Sequence, residues 1–566
     1  MNPKYRMFNA PSAETIDRAA NLEMNWAIVH SAGIEEGLVD PATGRPRDMF
    51  PLYFDAYPKV AAVRRGLDAG WIEPMRREVR ALCERADALG LNCAFHMYEP
   101  TLPHVFEREY PEIVSVFKRT TEAGTVDIHS HMDPDNPETW KLVTSKYAEL
   151  AREFPLVKMV ILTTWDGAGS RWCLAKAKMP IAKRLVRMVE AATAGVRSVR
   201  KDVTVVLRLW GRNWPARVYR DRNRMINEIA GIDSADEVME PTVRPYNDPD
   251  VVLPAVFKDL APDVPVMYKS TQFDISDAQP LTETLGKYPK TREQILEVSY
   301  ELYHLKPWSW CKVAHLRKGL DAVRKHKLAG FLALPINMGN NLRDAQPEKG
   351  NLGRMNTWLL KRLLKDDKRT DAGLVAAWLE KEFDGPQPKE AVDVLLEADA
   401  IVGDGIQWGN GGTDCLHAQF TSLHTMKLYW INDGFIDGKF ADRMLKPTRE
   451  FLEELIEMKR SAEERARRNI ERIKAARAAM SPALCDELLK GYATLADYIL
   501  LIRLWHSHHV MQYGIEKGVF EADRPTLDRA SRYVEEFIRA FDRLRDTDAG
   551  RRAAGQFAFP DPFIVP

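Results

Sequence analysis

What most limits this chain's fold is a recurring pattern of short runs, apolar on successive residues and rich in Val, Ile and Leu, separated by helical stretches. A strand apolar on both faces is buried on both, as in parallel sheets covered by helices. Such runs lie at 27–33 (AIVHSAG), 91–100 (LNCAFHMYEP), 125–133 (TVDIHSHMD), 157–167 (VKMVILTTWDG), 202–212 (DVTVVLRLWGR), 264–274 (VPVMYKSTQFD), 295–304 (ILEVSYELYH) and 328–339 (LAGFLALPINMG). Helical sequences at 138–153, 177–199 and 313–326 separate several of them. Eight runs in this alternation predict an α/β chain whose parallel sheet closes as a (β/α)8, TIM-type barrel.

After residue 350 the pattern changes. Stretches 354–366, 372–384, 387–401, 445–478, 486–512 and 525–546 carry helical periodicity or strong helix formers. The alternating charge of RSAEERARRNIERIKAARAAM reads as a solvated helix face. The expected division is an N-terminal extension at 1–20, a catalytic barrel at 21–350 and an α-helical C-terminal domain at 351–566. Between helices, GDGIQWGNGGTDC at 403–415 matches no phosphate-binding template and reads as a mobile surface loop.

Lys plus Arg equals Asp plus Glu at 81 each, so net charge points to neither nucleic acid nor a membrane surface. No long apolar run suggests a membrane span, and the first residues lack the apolar stretch of a signal peptide. The six cysteines are scattered with no C-x-x-C pair. They read as reduced thiols of a cytoplasmic protein, without structural zinc.

In a parallel barrel the chemistry sits at the C-terminal ends of the strands. The polar residues closing or interrupting the runs are therefore the candidates: His30, His96, Glu99, Asp127, His129, His131, Asp166, Arg208, Arg212, Lys269, Asp274, Glu301 and Asn337. Asp166, Asp274 and Glu301 lie on three different β segments. Glycosidic cleavage needs one carboxyl to protonate the leaving oxygen and another to activate water or attack from the opposite face of the ring. Each of the three can equally be a strand-end cap or an ion-pair partner.

Arg208 interrupts the apolar run VVLRLW, where an unpaired charge is costly, so it faces either a protein carboxylate or an anionic ligand. With Arg212 and Lys269 it suits a sugar bearing a carboxylate; neutralising Asp166 and Asp274 is the alternative. Trp165 and Trp210 supply aromatic faces of the kind that stack on sugar rings, although most buried Trp is core. His129 and His131 form a His-x-His that can hold a metal at a strand end, but the later strands end in Lys269, Asp274, Glu301 and Asn337, and the nearby His304 and His315 do not sit well at the end of an apolar run. They read better as neutral histidines that bond substrate or backbone. His506, His508 and His509 do not share one helix face and read as packing or partly exposed residues.

The stretch MDPDNPETWKLVTSKYAELAREFPLVKMVILTTWDGAGS, with VVLRLWGR, VPVMYKSTQFDISDAQPL, ILEVSYELYH and HKLAGFLALPIN, resembles in order and local pattern the α-glucuronidases of glycoside hydrolase family 67. RTDAGLVAAWLEKEFDGPQPKEAVDVLL resembles the start of that family's helical C-terminal domain. The resemblance implies an exo-acting, inverting hydrolase of uronic-acid-containing oligosaccharides, without metal or cofactor. By it, Asp166 is the general acid, Asp274 and Glu301 activate water, and Arg208 and Lys269 hold the sugar, with Arg212, His129, His131, Trp165, Trp210 and Asn337 around it. Inversion implies an acid–base separation of about 6.5–9.5 Å. Asp166 stands where the family has Glu, and Glu297 competes with Glu301 for its position. A metal-dependent barrel hydrolase built on His129 and His131, and a non-catalytic sugar-binding barrel, remain the alternatives. The helical region offers a surface for a homodimer.

Overall fold

The computed structural model describes residues 3–551 except 33, 40–45, 67–68, 121–125, 165–177, 210–248, 271–280, 283–284, 286–291, 300–310, 335–353, 409–419, 421–422, 424–425 and 428–438. In chain order, the first half runs β1 (Tyr5–Asn9), α1 (Ala13–Asn21), β2 (Trp26–Ala32), β3 (Ile34–Val39), β4 (Pro46–Asp48), α2 (Pro58–Gly66), α3 (Ala69–Ala88), β5 (Asn92–Tyr98), α4 (Val105–Glu109), β6 (Val114–Thr120), β7 (Val126–Met132), α5 (Pro137–Glu153), β8 (Val157–Thr163), α6 (Ile181–Val199) and β9 (Thr204–Leu209). It continues through α7 (Pro249–Asp259), β10 (Val266–Lys269), β11 (Gln294–Ser299), α8 (Val313–Lys325) and β12 (Gly330–Leu334). The helical region holds α9 (Met355–Leu364), α10 (Asp371–Glu382), α11 (Lys389–Gly405), α12 (Lys439–Leu445), α13 (Arg449–Ala476), α14 (Pro482–Glu516) and α15 (Arg524–Leu544).

Eight parallel strands close a barrel in the order β1-β12-β11-β10-β9-β8-β5-β2. The fold is therefore a (β/α)8-type barrel followed by a mostly helical C-terminal region. Seven of the runs read from sequence supply barrel strands. The run at 125–133 does not: its strand, β7, pairs antiparallel with β6 in a separate two-stranded ribbon after β5. The physical reason is visible in its sequence. Val126, Ile128 and Met132 alternate with Asp127, His129 and His131, the two-residue period of a strand with one wet face.

The remaining barrel strand is β1, inside the segment expected to precede the barrel. Its YRMFN is short and interrupted by Arg6, so it gives little periodicity to read. Arg6 stays at the rim by donating to the Glu23 carbonyl. β1 pairs with β12 in a register that sets Tyr5 beside Gly330. A Cβ on Gly330 would sit 2.1 Å from the Tyr5 carbonyl oxygen, so only glycine fits where the barrel closes.

The outer helices have local causes. Asn136 caps α5 by accepting from the Glu138 amide, and Pro137 occupies the first turn, where its missing N–H costs nothing. One core runs from the outward faces of the strands into the first helices of the C-terminal region, with Phe95, Val160, Leu316, Leu359, Leu374 and Leu395 all in it. The helical region is also fastened to the barrel by the buried pair Lys312–Asp399 and by Arg317–Asp371.

The segment 403–415 differs from its expectation. Gly403 and Gly405 finish α11, and Ile406, Gln407 and Trp408 are buried; 409–415 lie outside the described residues. The glycine at 405 serves packing rather than mobility, because a Cβ there would lie 2.6 Å from Ile499 Cδ1. The buried Lys459 donates to the Gly405 carbonyl (3.3 Å) and to that of Gln407, ending the helix, while its ammonium lies 4.3 Å from the Trp408 ring centre. His506 stacks on the Trp408 ring with 4.8 Å between centres, and His509 is buried as well.

Candidate active site

The barrel interior is layered. Tyr5, Met7, Ile28, Ala94, Met159, Ile161, Val206, Met267, Ile295 and Leu332 fill it with apolar side chains. Inward positions recur every second residue along a strand. The next inward positions toward the C-terminal ends are therefore His96, Thr163, Arg208, Lys269 and Glu297 on β5, β8, β9, β10 and β11, with the apolar Leu334 on β12. All five are buried, and the change from apolar to charged is abrupt.

They form one network. Arg208 grips Glu297 with two hydrogen bonds, Nε to Oε2 at 2.5 Å and Nη2 to Oε1 at 2.8 Å. This pair joins β9 to β11 across the intervening β10. Lys269 Nζ lies 4.0 Å from Glu297 Oε1. Arg208 Nη1 reaches Thr163 Oγ1 at 3.5 Å, and the same hydroxyl meets His96 Nε2. The Tyr98 ring lies 4.7 Å from that of His96, centre to centre.

Burial would raise the Glu297 carboxyl, but the Arg208 charge and hydrogen bonds, with Lys269, overcome it and hold the group below the usual carboxylate range. Glu297 is thus an ionised carboxylate with both oxygens engaged, which disqualifies it as a general acid. Burial first, then the charge of Arg208, pushes His96 down to about 3, so its imidazole is neutral at ordinary pH.

Of the two options the sequence allowed for Arg208, a protein carboxylate is realised. The carboxylate beside it is Glu297, which in the sequence competes only with Glu301 for its position and is not singled out as this partner; it interrupts the apolar ILEVS as Arg208 interrupts VVLRLW, and a charge in a doubly buried strand needs a partner. Thr163 and Tyr98 gave no such signal. Two other candidates lie outside the barrel interior. Glu99 is wholly buried against α5, where its Oε1 accepts from Lys146 (2.7 Å) and from the Tyr147 hydroxyl. His30 Nε2 meets the Met49 carbonyl at 2.9 Å and its ring lies 5.4 Å from that of Phe95, in the outer core.

Asp166, Asp274 and Glu301, with Trp165, Trp210, Arg212 and Asn337, lie outside the described residues. The structure describes the chain up to them: β8 ends at Thr163, β9 at Leu209, β10 at Lys269 and β11 at Ser299. His129 and His131 are described in backbone only. They stand in register with Phe117 and Ser115 on the β6–β7 ribbon. The metal-binding alternative had placed them at a barrel strand end, and the topology does not. Among the described residues no group of three or more His, Cys, Asp or Glu could hold a metal ion. No helix among them is long and apolar enough to cross a membrane, and Cys83, Cys93, Cys311 and Cys485 are free and buried.

No protein-family model matches the sequence, and no curated protein does. Among solved structures, the chain is similar to a GH138 enzyme targeting pectin rhamnogalacturonan II, with a TM-score of 0.54 and 12% identity over 95% of this chain and 58% of that one. The chain thus spans a little under three fifths of that enzyme's length. A mutant O-GlcNAc hydrolase of Thermobaculum terrenum superposes at a TM-score of 0.40 with 9% identity, over 99% of this chain and 94% of that one. The likeness to the GH138 enzyme covers nearly the whole of this chain, and at this identity it is a likeness of fold.

Proposed function

We propose that the chain is a glycoside hydrolase, exo-acting and inverting, on a uronic-acid-containing or related oligosaccharide. One observation carries the reading: among the described residues, charge enters the barrel interior at the C-terminal ends of the strands, as the Arg208–Glu297–Lys269 cluster. The carboxylates Asp166, Asp274 and Glu301 follow within a few residues on three of the strands that build the cluster. The pectin-directed activity in the name of the GH138 enzyme, whose fold this chain shares, supports the substrate class.

In this reading Asp166 protonates the leaving oxygen while Asp274, with Glu301, takes a proton from the attacking water. Arg208 and Lys269, on the strands that lead into these segments, are cations of the kind that favour the ionised form of a base. Arg212 and Lys269 meet the sugar's carboxylate, and Trp165 and Trp210 supply aromatic faces to its ring. The barrel, to about residue 350, carries the reaction. The helical region after it mediates self-association, and the protein works in the cytoplasm.

A panel of aryl glycosides and uronic-acid oligosaccharides tests the reading, with the first-formed anomer followed by NMR. Asp274→Ala should lower kcat by on the order of a thousandfold or more while the fold is kept, and chelators should leave wild-type turnover unchanged. An Asp274→Ala variant with near wild-type turnover would sink the assignment. Glycan binding without any hydrolysis would instead indicate a binding protein.

A further inference from the structure

We propose that Glu297 is a positioning residue: clamped to Arg208, it fixes the geometry and the charge of the layer at the C-terminal ends of the strands that lead into the segments carrying the reacting groups. The proposal rests on the glycoside hydrolase reading above.

The network takes in the C-terminal part of five consecutive barrel strands, β5 and β8 to β11. Thr163 is the last residue of β8, Lys269 the last of β10, and Arg208 the last but one of β9, while Glu297 lies within β11. Asp166, Arg212, Asp274 and Glu301 follow these residues on the same four segments. Neighbouring strands are spaced by their backbone hydrogen bonds. β9 and β11 are not neighbours; each is laddered to β10, and the Arg208–Glu297 pair adds a direct side-chain tie between them at this level. Thr163 extends the tie to β8, and His96 extends it to β5.

Stability alone does not account for this choice. Well-packed apolar residues fill the layers below, and replacing a buried ion pair by apolar groups of similar volume is often neutral or stabilising. The charge pair occurs instead at the one layer adjoining the catalytic end. Among the described residues, the charged or titratable groups facing Glu297 are Arg208, Lys269 and His96. Among the described residues Glu297 is thus the negative member of this cluster, and its loss makes the cluster more positive.

Two variants separate positioning from bulk stability. Glu297→Gln keeps the shape and removes the charge. The double variant Arg208→Met with Glu297→Leu removes the pair and keeps the volume. With the best glycoside from the panel, and with folding verified by circular dichroism and thermal unfolding, the double variant should lose roughly 100-fold in kcat. KM should stay within about threefold, as expected when substrate binding is not what is lost. In Glu297→Gln the acidic limb of the pH profile should move down by about one pH unit, because the added positive charge favours the ionised base. A folded double variant with wild-type kcat overturns the proposal, and so does a Gln variant whose acidic limb stays in place. If the Gln variant does not fold, the double variant decides. Wild-type protein that turns over no glycoside defeats the hydrolase reading instead. The layer is then read from the imidazole ¹⁵N shifts of His96 at pH 7, which should change in the double variant as its Thr163 contact is released; unchanged shifts overturn the proposal.

Discussion

At the scale of single residues, the interior charges make the protein sensitive to acid in a calculable direction. His96 is held near 3 against an ordinary value of 6.5. The folded state therefore binds fewer protons than the unfolded chain below pH 6.5, and stability falls as pH drops through that window. Glu297, held below its ordinary 4.5, contributes stability that is complete above 4.5 and is lost as pH falls further. Each proton taken up on unfolding corresponds to about 1.4 kcal/mol per pH unit. His96→Gln should flatten the stability-versus-pH curve between pH 6.5 and 4.5 relative to wild type, measured as the urea midpoint at each pH. An unchanged slope would show that the buried imidazole titrates normally. The sequence exposed Arg208 as a misfit in an apolar strand, but it could not say that Glu297 faces it, because that depends on closure of the barrel. His96 stood among the candidates, whereas Thr163 is an ordinary strand residue, and only the closed geometry joins the two.

At the scale of elements, strands apolar on every residue were recognisable because double burial leaves no other composition. β7 was legible as a strand but not as a ribbon strand: its alternation pointed outward, while the His-x-His it carries suggested a site. β1 was illegible because five residues with one Arg carry too little pattern. Its importance is nonetheless testable. Gly330→Ala drives a methyl into the Tyr5 backbone, which cannot rotate away, and overpacking of this kind costs about 1–3 kcal/mol or more. Removing residues 1–9 should abolish cooperative unfolding, whereas a dispensable extension would leave it intact. The segment after β4 is pinned in a similar way by buried charges. Arg64 holds Asp48 and the Phe50 and Leu52 carbonyls, and Glu149 accepts from the Tyr53, Phe54 and Asp55 amides. This bracing gives the β3–β4 hairpin beside the barrel mouth a rigid base.

At the scale of the whole molecule, the continuous core between barrel and helices predicts one cooperative unit rather than two that melt separately. Calorimetry should show a single transition. The outermost helix, α15, leaves Leu527 and Ile538 exposed. If self-association through the helical region holds, Leu527→Asp with Ile538→Asp should convert a dimer to a monomer in sedimentation velocity without changing turnover; a wild-type monomer would remove that part of the proposal. The helical segments were the most legible part of the chain, since long amphipathic periodicity survives without tertiary information.

The pairing of Tyr5 with Gly330 also has a consequence in time. On the ribosome the opening strand is made first and its partner last, and at roughly 5–20 residues per second the interval is on the order of tens of seconds. Throughout it, β1 and the growing sheet present unpaired edges to every other nascent chain nearby. Yield in the cell should therefore respond more to elongation rate and chaperone supply than the stability of the finished barrel would suggest.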